Sequence, residues 1–436
     1  MPYLEEGVHN HPNWNVWTYQ ENIPYLSRFL SRLLAGVGRT ETRIALTRYV
    51  EGLLLPARGK LIRPLAERLN VDPQSMQQAI THSRWDDRDL WSSIRKVIIP
   101  LLGPLDRWVI NERAWEKQGD LTVGVCNQSS GGDSKKSHCQ VSLELLASNG
   151  SVAAPLASRL YLPEEWAGDS ARRRRALVPD SVTFATKPAL AIELLKEASR
   201  DGLRPDIVIA GRSYGENSGF RAALARLGFE FFLEVDPASD SALGVETDFP
   251  QWNTTVKSLS GLDQLFAEEP WTQCAWVMPD GIFRNTRVLI RGVLLKSGEL
   301  DSKLERLWLV IDWPAEDPKP YGCYIYSGRI QPTAIQCLRY SRFRSYEAYY
   351  RSCFEKTLHL GCYQGRSWNG FHHHLVLAAL AYLFVLRVEQ RNHCPFWVDV
   401  LDEAPVVPAI AEETSRFFSV LRRNTPSSQG DSMTAA

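Results

Sequence analysis

At Pro104 the apolar residues stop recurring at helical three-and-four spacing and begin to follow the rhythm of strands, and this change divides the chain. Before it, from Asn22 to about Leu102, helical spacing runs through Tyr25, Leu26, Phe29, Leu30 and Leu33, then through Ile44, Leu46, Tyr49, Val50 and Leu53. After it, Leu105–Ala114 is expected to be a buried strand that presents Asn111 at its tip. Thr122–Cys126, Cys139–Ala147 and Asp206–Gly211 are expected to be strands beside it, and Ser148–Asp180 a turn-rich piece. Thr186–Asp201 and Gly215–Leu227 have the pattern of helices, and Phe229–Val235 that of another strand. Alternation of this kind predicts a mixed α/β sheet.

Five segments follow from these shifts. Residues 1–103 form a helical domain opened by an irregular arm over residues 1–20, and residues 104–235 form the first part of the α/β core. In residues 236–338 helices nearly vanish, and short strands such as Arg287–Leu295, Leu307–Trp313 and Gly322–Tyr326 alternate with Pro and Gly turns. This reads as a β-rich insertion. Residues 339–405 return to helices (Ser345–Leu358 and Phe371–Gln390), and residues 406–436 are a tail expected to be partly disordered. The most apolar run, Leu375–Val388, spans 14 residues and reads as a buried helix too short for a bilayer. No secretory signal is read at the start. Eight cysteines without a CxxC pair point to a reducing, cytoplasmic setting and away from structural zinc.

Lys and Arg balance Asp and Glu at 50 each, so overall charge suggests no polyanionic partner. Locally, Asn22–Pro100 holds 13 basic residues against 7 acidic ones, a modest nucleic-acid signal. Within it, Leu61–Ser83 has the form of a helix-turn-helix: Pro64 in a first turn, a break at Asn70–Val71, then Asp72 and Pro73 as N-cap and first helical residue. The second helix would bury Met76, Ala79 and Ile80 and offer Gln74, Gln77, Gln78, Thr81 and Arg84 to base edges or phosphates. A plain helical hairpin fits the same pattern. Arg172–Arg175, Arg342, Arg344 and Arg366 are further candidates for phosphate contact, with solvated or ion-paired arginines as the alternative. His372–His374 point in different directions at a helix start, so no metal site is assigned to them.

Several segments in order resemble the DDE transposases of bacterial insertion sequences, in the group with a β-rich insertion before its catalytic Glu. They are Thr122-Val-Gly-Val125, Cys139-Gln-Val141, Arg159-Leu-Tyr-Leu-Pro-Glu-Glu-Trp166 with the arginine run, Phe184-Ala-Thr-Lys-Pro188, Tyr214-Gly215, Tyr363-Gln-Gly-Arg-Ser-Trp368 and Phe371-His-His-His374. The resemblance implies an RNase H-like sheet in which three carboxylates hold divalent metals, usually Mg²⁺, for displacement at phosphorus. It also implies double-stranded DNA as partner, self-association into a homo-oligomer, and a nucleoid-associated place in a bacterial cytoplasm. The family's first Asp falls at Asn111, where Ile-Asn-Glu-Arg replaces an Asp-Glu-Thr-Gly type sequence. The second falls at Gly211, within Ala-Gly-Arg-Ser-Tyr-Gly. The Glu falls at Glu347, although strict counting from Gln364 lands on Ala348. Glu112 would face the opposite side of the strand from Asn111, Asp206 lies too far back, and nothing in the sequence fixes Glu216 in place.

An amide and a glycine make a poor Mg²⁺ site. The expectation is therefore a transposase-derived DNA-binding protein without cleavage chemistry and without a cofactor. An active transposase or nuclease with a rearranged acidic site including Glu347, and a protein-interaction scaffold, are the other two readings.

Overall fold

The computed structural model describes residues 14–57, 59–130, 135–149, 152–236, 271–277, 283–296, 304–314, 317, 320–341, 358 and 360–393. Helices α1 (Val16–Asn22), α2 (Leu26–Leu33), α3 (Thr40–Leu54), α4 (Ile62–Arg68), α5 (Pro73–Thr81) and α6 (Asp87–Leu102) come first. Helix α1 corrects the expectation of an irregular arm up to residue 20. Asn15 caps it by accepting from the Thr18 amide, which lets so short a helix start. Asp72 accepts from the Gln74 and Ser75 amides at the start of α5, and Asn70 supplies the left-handed turn before it (φ 53°).

The sheet begins with β1 (Arg107–Glu116), β2 (Cys126–Gln128), β3 (Ser137–Ser148) and β4 (Ala153–Leu160). The short helices α7 (Glu164–Gly168) and α8 (Ser170–Arg175) lead to α9 (Lys187–Arg200), and β5 (Ile207–Ala210) follows. After it come α10 (Arg212–Gly215), α11 (Ser218–Arg226) and β6 (Phe231–Val235). Strands β7 (Thr272–Val277), β8 (Phe283–Lys296), β9 (Leu304–Pro314) and β10 (Gly322–Tyr326) come next, and α12 (Ala334–Ser341) and α13 (Trp368–His393) complete the described elements.

All ten described strands belong to one sheet, in the order β2-β3-β1-β5-β6-β10-β9-β8-β7, with β4 beside β2 on the outer edge of β3. Pairing is parallel between β1, β5 and β6 and antiparallel elsewhere, the mixed α/β sheet expected of an RNase H-like core. The β-rich insertion is present, and it joins the core sheet directly, because β10 pairs with β6.

Three local expectations need correction. Thr122–Val125 is a buried turn and not a strand: Gly124 sits at φ +72°, and the Val125 amide donates back to Thr122 O. Within Ser148–Asp180 lies the strand β4, which Ala and Pro disguise; Pro155 is tolerated beside an irregularity in the β3–β4 register at Leu145/Leu146. Strand β1 runs on to Glu116, so Asn111 lies in mid-strand; pairing with β3 continues to Glu116↔Cys139 after the parallel pairing with β5 has ended.

Helix α13 is the hub. From Phe371 to Leu386 every side chain is buried, as in a helix apolar all round, and it packs on α3, α5, α6 and β4. Its apolar stretch, Trp368–Gln390, is 23 residues, so by length and composition it could cross a bilayer, contrary to the shorter run read from sequence. The flanking His, Phe and Trp residues extend it, and the protein itself encloses nearly all of it. Phe384 meets Trp14 and Phe29, and the Tyr382 hydroxyl donates to Ala153 O, so the N-terminal helices and the sheet share one core through this helix. Ser345–Leu358, apart from Leu358, and the tail after Asn424 lie outside the described residues.

Candidate active site and nucleic-acid interface

Strand register places the first two expected acidic positions side by side. Ile110 pairs with Ala210 and Ala210 with Leu233, so one step on, Asn111, Gly211 and Glu234 stand level on neighbouring strands. Glu144 is level with Asn111 on the other side. The row across the sheet is therefore Glu144, Asn111, Gly211, Glu234.

Strand β1 is buried on both faces, and its alternation separates two polar groups. Asn111, Arg113 and Trp115 point one way; the Trp115 ring meets Phe371 of α13 edge-on, and its indole donates to Ser142 Oγ at 2.8 Å. Arg113 Nε donates to Glu144 Oε1 at 2.8 Å and Arg113 Nη2 to Glu144 Oε2 at 3.3 Å, while Asn111 Nδ2 reaches the same Oε2 at 3.5 Å. Both members of this ion pair are shielded from water (2% and 3% side-chain exposure). Glu112 points the other way, as alternation predicts. It accepts from Lys187 Nζ at 2.7 Å and from the Tyr214 hydroxyl at 2.8 Å. Burial first, then this carboxylate, push the Tyr214 phenol well above its ordinary range.

Gly211 is the N-cap of α10, in extended backbone (φ −75°, ψ −179°) that any residue can adopt. A Cβ there would meet only Glu234 Oε2, at 3.9 Å. Arg212, the next residue, lies 4.0 Å from Glu234 Oε1 and donates to Asp236 Oδ2 at 3.2 Å. Glu216 does not swing towards the row; its Oε1 accepts from the Asp236 amide at 3.2 Å. Glu347, Arg342 and Arg344 lie outside the described residues. Among the described residues no three His, Cys, Asp or Glu side chains are grouped to hold a metal ion, and each acid around the row already faces a basic side chain. Among the described residues, the amide at 111, the glycine at 211 and the arginine-paired acids beside them do not fit a Mg²⁺ centre.

Sequence reasoning missed Arg113, Glu144, Arg212, Glu234 and Lys187. The signal was there for two of them: a lone Glu inside the apolar runs Val141–Ala147 and Phe231–Val235 requires a partner once both faces are buried.

In the helical region, Gln74, Gln77, Gln78 and Arg84 are exposed on and just after α5, whose other side buries Met76, Ala79 and Ile80. Thr81 is not among the available side chains: it is buried, and its hydroxyl donates to Gln77 O. Helix α5 is held to α13 by His373, whose ring stacks on Trp85 at 3.6 Å and bonds Ile80 O and Trp85 O. Its neighbours diverge as expected. His372 Nε2 accepts from the Leu160 amide, and His374 Nδ1 bonds the Tyr49 hydroxyl. The arginine run splits in two. Arg172 lies 4.0 Å over the Trp166 ring and Arg173 bonds Pro179 O, whereas Arg174 and Arg175 are exposed. Arg366 is exposed, and its carbonyl accepts from the Val123 amide of the buried turn.

No curated protein matches the chain. A family model described as DDE superfamily endonuclease matches residues 32–246, a stretch that contains α3 to β6 and with them both Asn111 and Gly211. The mixed sheet and the level strand positions agree with this match, which assigns residues 32–246 to the DDE superfamily endonucleases.

Proposed function

We propose that this protein binds double-stranded DNA and does not cut it. The observation that carries the reading is the row Glu144, Asn111, Gly211, Glu234: where metal-bound carboxylates would stand there are an amide and a glycine, and both flanking acids face arginines. DNA contact falls to the exposed Gln74, Gln77, Gln78 and Arg84 around α5, with Arg174, Arg175 and Arg366 as sequence-independent phosphate contacts. The family relationship supports DNA as partner, and self-association on the bacterial nucleoid is part of the same proposal.

The test is supercoiled plasmid at low salt with Mg²⁺ or Mn²⁺, scored together for gel retardation and nicking. Retardation without nicking is expected. The Gln74→Ala/Gln77→Ala/Gln78→Ala/Arg84→Ala variant should weaken retardation by roughly tenfold or more, from about 1–3 kcal/mol per lost base contact. Nicking that disappears in Glu347→Ala would overturn the reading in favour of a rebuilt acidic site. Absence of both retardation and nicking would make the protein a scaffold.

A further inference from the structure

We infer that Arg113 and Arg212 are built-in counterions that take the charge-balancing place of divalent metal, so that the centre is closed to cations and does not merely lack ligands. The inference rests on the proposed loss of cleavage and explains how the remaining acids are tolerated.

Each arginine follows an emptied position closely, Arg113 two residues after Asn111 and Arg212 one residue after Gly211. Two residues along a strand returns to the same face, so Arg113 shares the face of Asn111 and meets Glu144 with both ends of its guanidinium, at 2.8 and 3.3 Å. That pair is sealed from water. A buried carboxylate left without its partner is strongly unfavourable, so Glu144 requires a cation of some kind, and the one provided is tethered to the chain. On the other side, Arg212 spans Glu234 and Asp236, at 4.0 and 3.2 Å. Gly211 is not required by its backbone or by crowding, since φ is −75° and a Cβ would meet nothing closer than 3.9 Å. Without a side chain, position 211 offers no ligand, and beside it Arg212 supplies positive charge. A metal ion approaching either carboxylate has to displace a guanidinium that is tethered to the chain.

Mn²⁺ binding to the full-length protein tests this, by titration calorimetry and by the paramagnetic signal of free Mn²⁺. Arg212→Ala is the principal variant, because Arg212 is 25% exposed and its removal leaves the buried Arg113 pair intact. Arg113→Thr is the second, and Arg226→Ala, an exposed arginine elsewhere, controls for net charge. Arg212→Ala is expected to bind Mn²⁺ at least tenfold more tightly than the unaltered protein and the Arg226→Ala control, and Arg113→Thr to show a melting temperature raised by Mn²⁺. Equal Mn²⁺ binding in unaltered, Arg212→Ala and Arg226→Ala proteins would overturn the inference. So would tight Mn²⁺ binding by the unaltered protein. Plasmid nicking run on the same preparations separates the two ideas: nicking by the unaltered protein defeats the proposed function, whereas unchanged Mn²⁺ binding without nicking defeats only the counterion role.

Discussion

The three consecutive histidines of α13 make acid sensitivity the most quantitative consequence of this fold. His372 is wholly buried, accepts from the Leu160 amide and meets Trp368 O with its other nitrogen; burial, only partly opposed by Asp87, pushes its pKa down to about 4. His374 is equally buried, bonds the Tyr49 hydroxyl and stacks on Tyr363; burial, reinforced by the Lys117 charge, pushes it down to about 3. Both therefore stay neutral in the folded chain at pH values where an unfolded histidine takes up a proton. Their contribution is fully present above the ordinary histidine pKa of about 6.5 and is lost as pH falls towards the folded values. Each fully protonating unfolded histidine changes stability by about 1.4 kcal/mol per pH unit, so two of them remove about 4 kcal/mol between about pH 7.5 and 5. Urea unfolding midpoints at the two pH values measure the loss. In His372→Gln/His374→Gln most of it should disappear, because an amide offers hydrogen bonds without titrating. Equal midpoints for the unaltered protein at both pH values, or an undiminished loss in the double variant, would refute the reasoning.

The glycines at the two ends of α10 should respond oppositely. Gly215→Ala would drive a Cβ into Glu234 O in the backbone of β6, for a cost on the order of 3 kcal/mol, whereas Gly211→Ala should stay within about 0.5 kcal/mol; thermal melts of both variants compare them directly. Asn111→Asp would set a second carboxylate within reach of Glu144, with which Asn111 Nδ2 now makes a 3.5 Å contact. At about 4 Å and an effective dielectric near 20 the repulsion approaches about 4 kcal/mol, and a melting temperature no lower than that of the unaltered protein would contradict it.

The parts of this fold that could be read from sequence are those whose cause is local. Asp72–Pro73 and Thr186–Lys187–Pro188 announce helix starts, and α5 and α9 begin there with the capping bonds those residues suggest. The apolar helix α13 and the strand at Asn111 also follow from patterns within one element. Strand β4 does not, because Ala153–Leu160 has little intrinsic strand character and becomes a strand by lying on the edge of β3. The turn at Thr122–Val125 looked like a strand because Val123 and Val125 are apolar; they are buried because the turn is tucked in, with Val123 N donating to Arg366 O. Segment order pointed to Asn111 and Gly211, and the sheet sets these two positions side by side. The charges around them were not legible, since Arg113 and Glu144 are 31 residues apart and meet only through the register of β1 on β3.

If cleavage is lost as proposed, that register also bears on whether the chemistry could return by small steps. In a metal-dependent centre, converging carboxylates repel one another, and bound cations offset the repulsion. Here the offset is divided among side chains: Lys187 for Glu112, Arg113 for Glu144, Arg212 for Glu234 and Asp236. Restoring an acid at 111 alone adds repulsion beside Glu144 while Arg113 still blocks a metal. Removing Arg113 alone leaves Glu144 buried and uncompensated, a change that typically costs about 3–5 kcal/mol. Restoring an acid at 211 alone sets it near Glu234, where one guanidinium already serves two carboxylates. On the proposed loss of cleavage, each single step lowers stability and none gathers a metal site among the described residues, so the arginine-balanced arrangement resists piecemeal reversal.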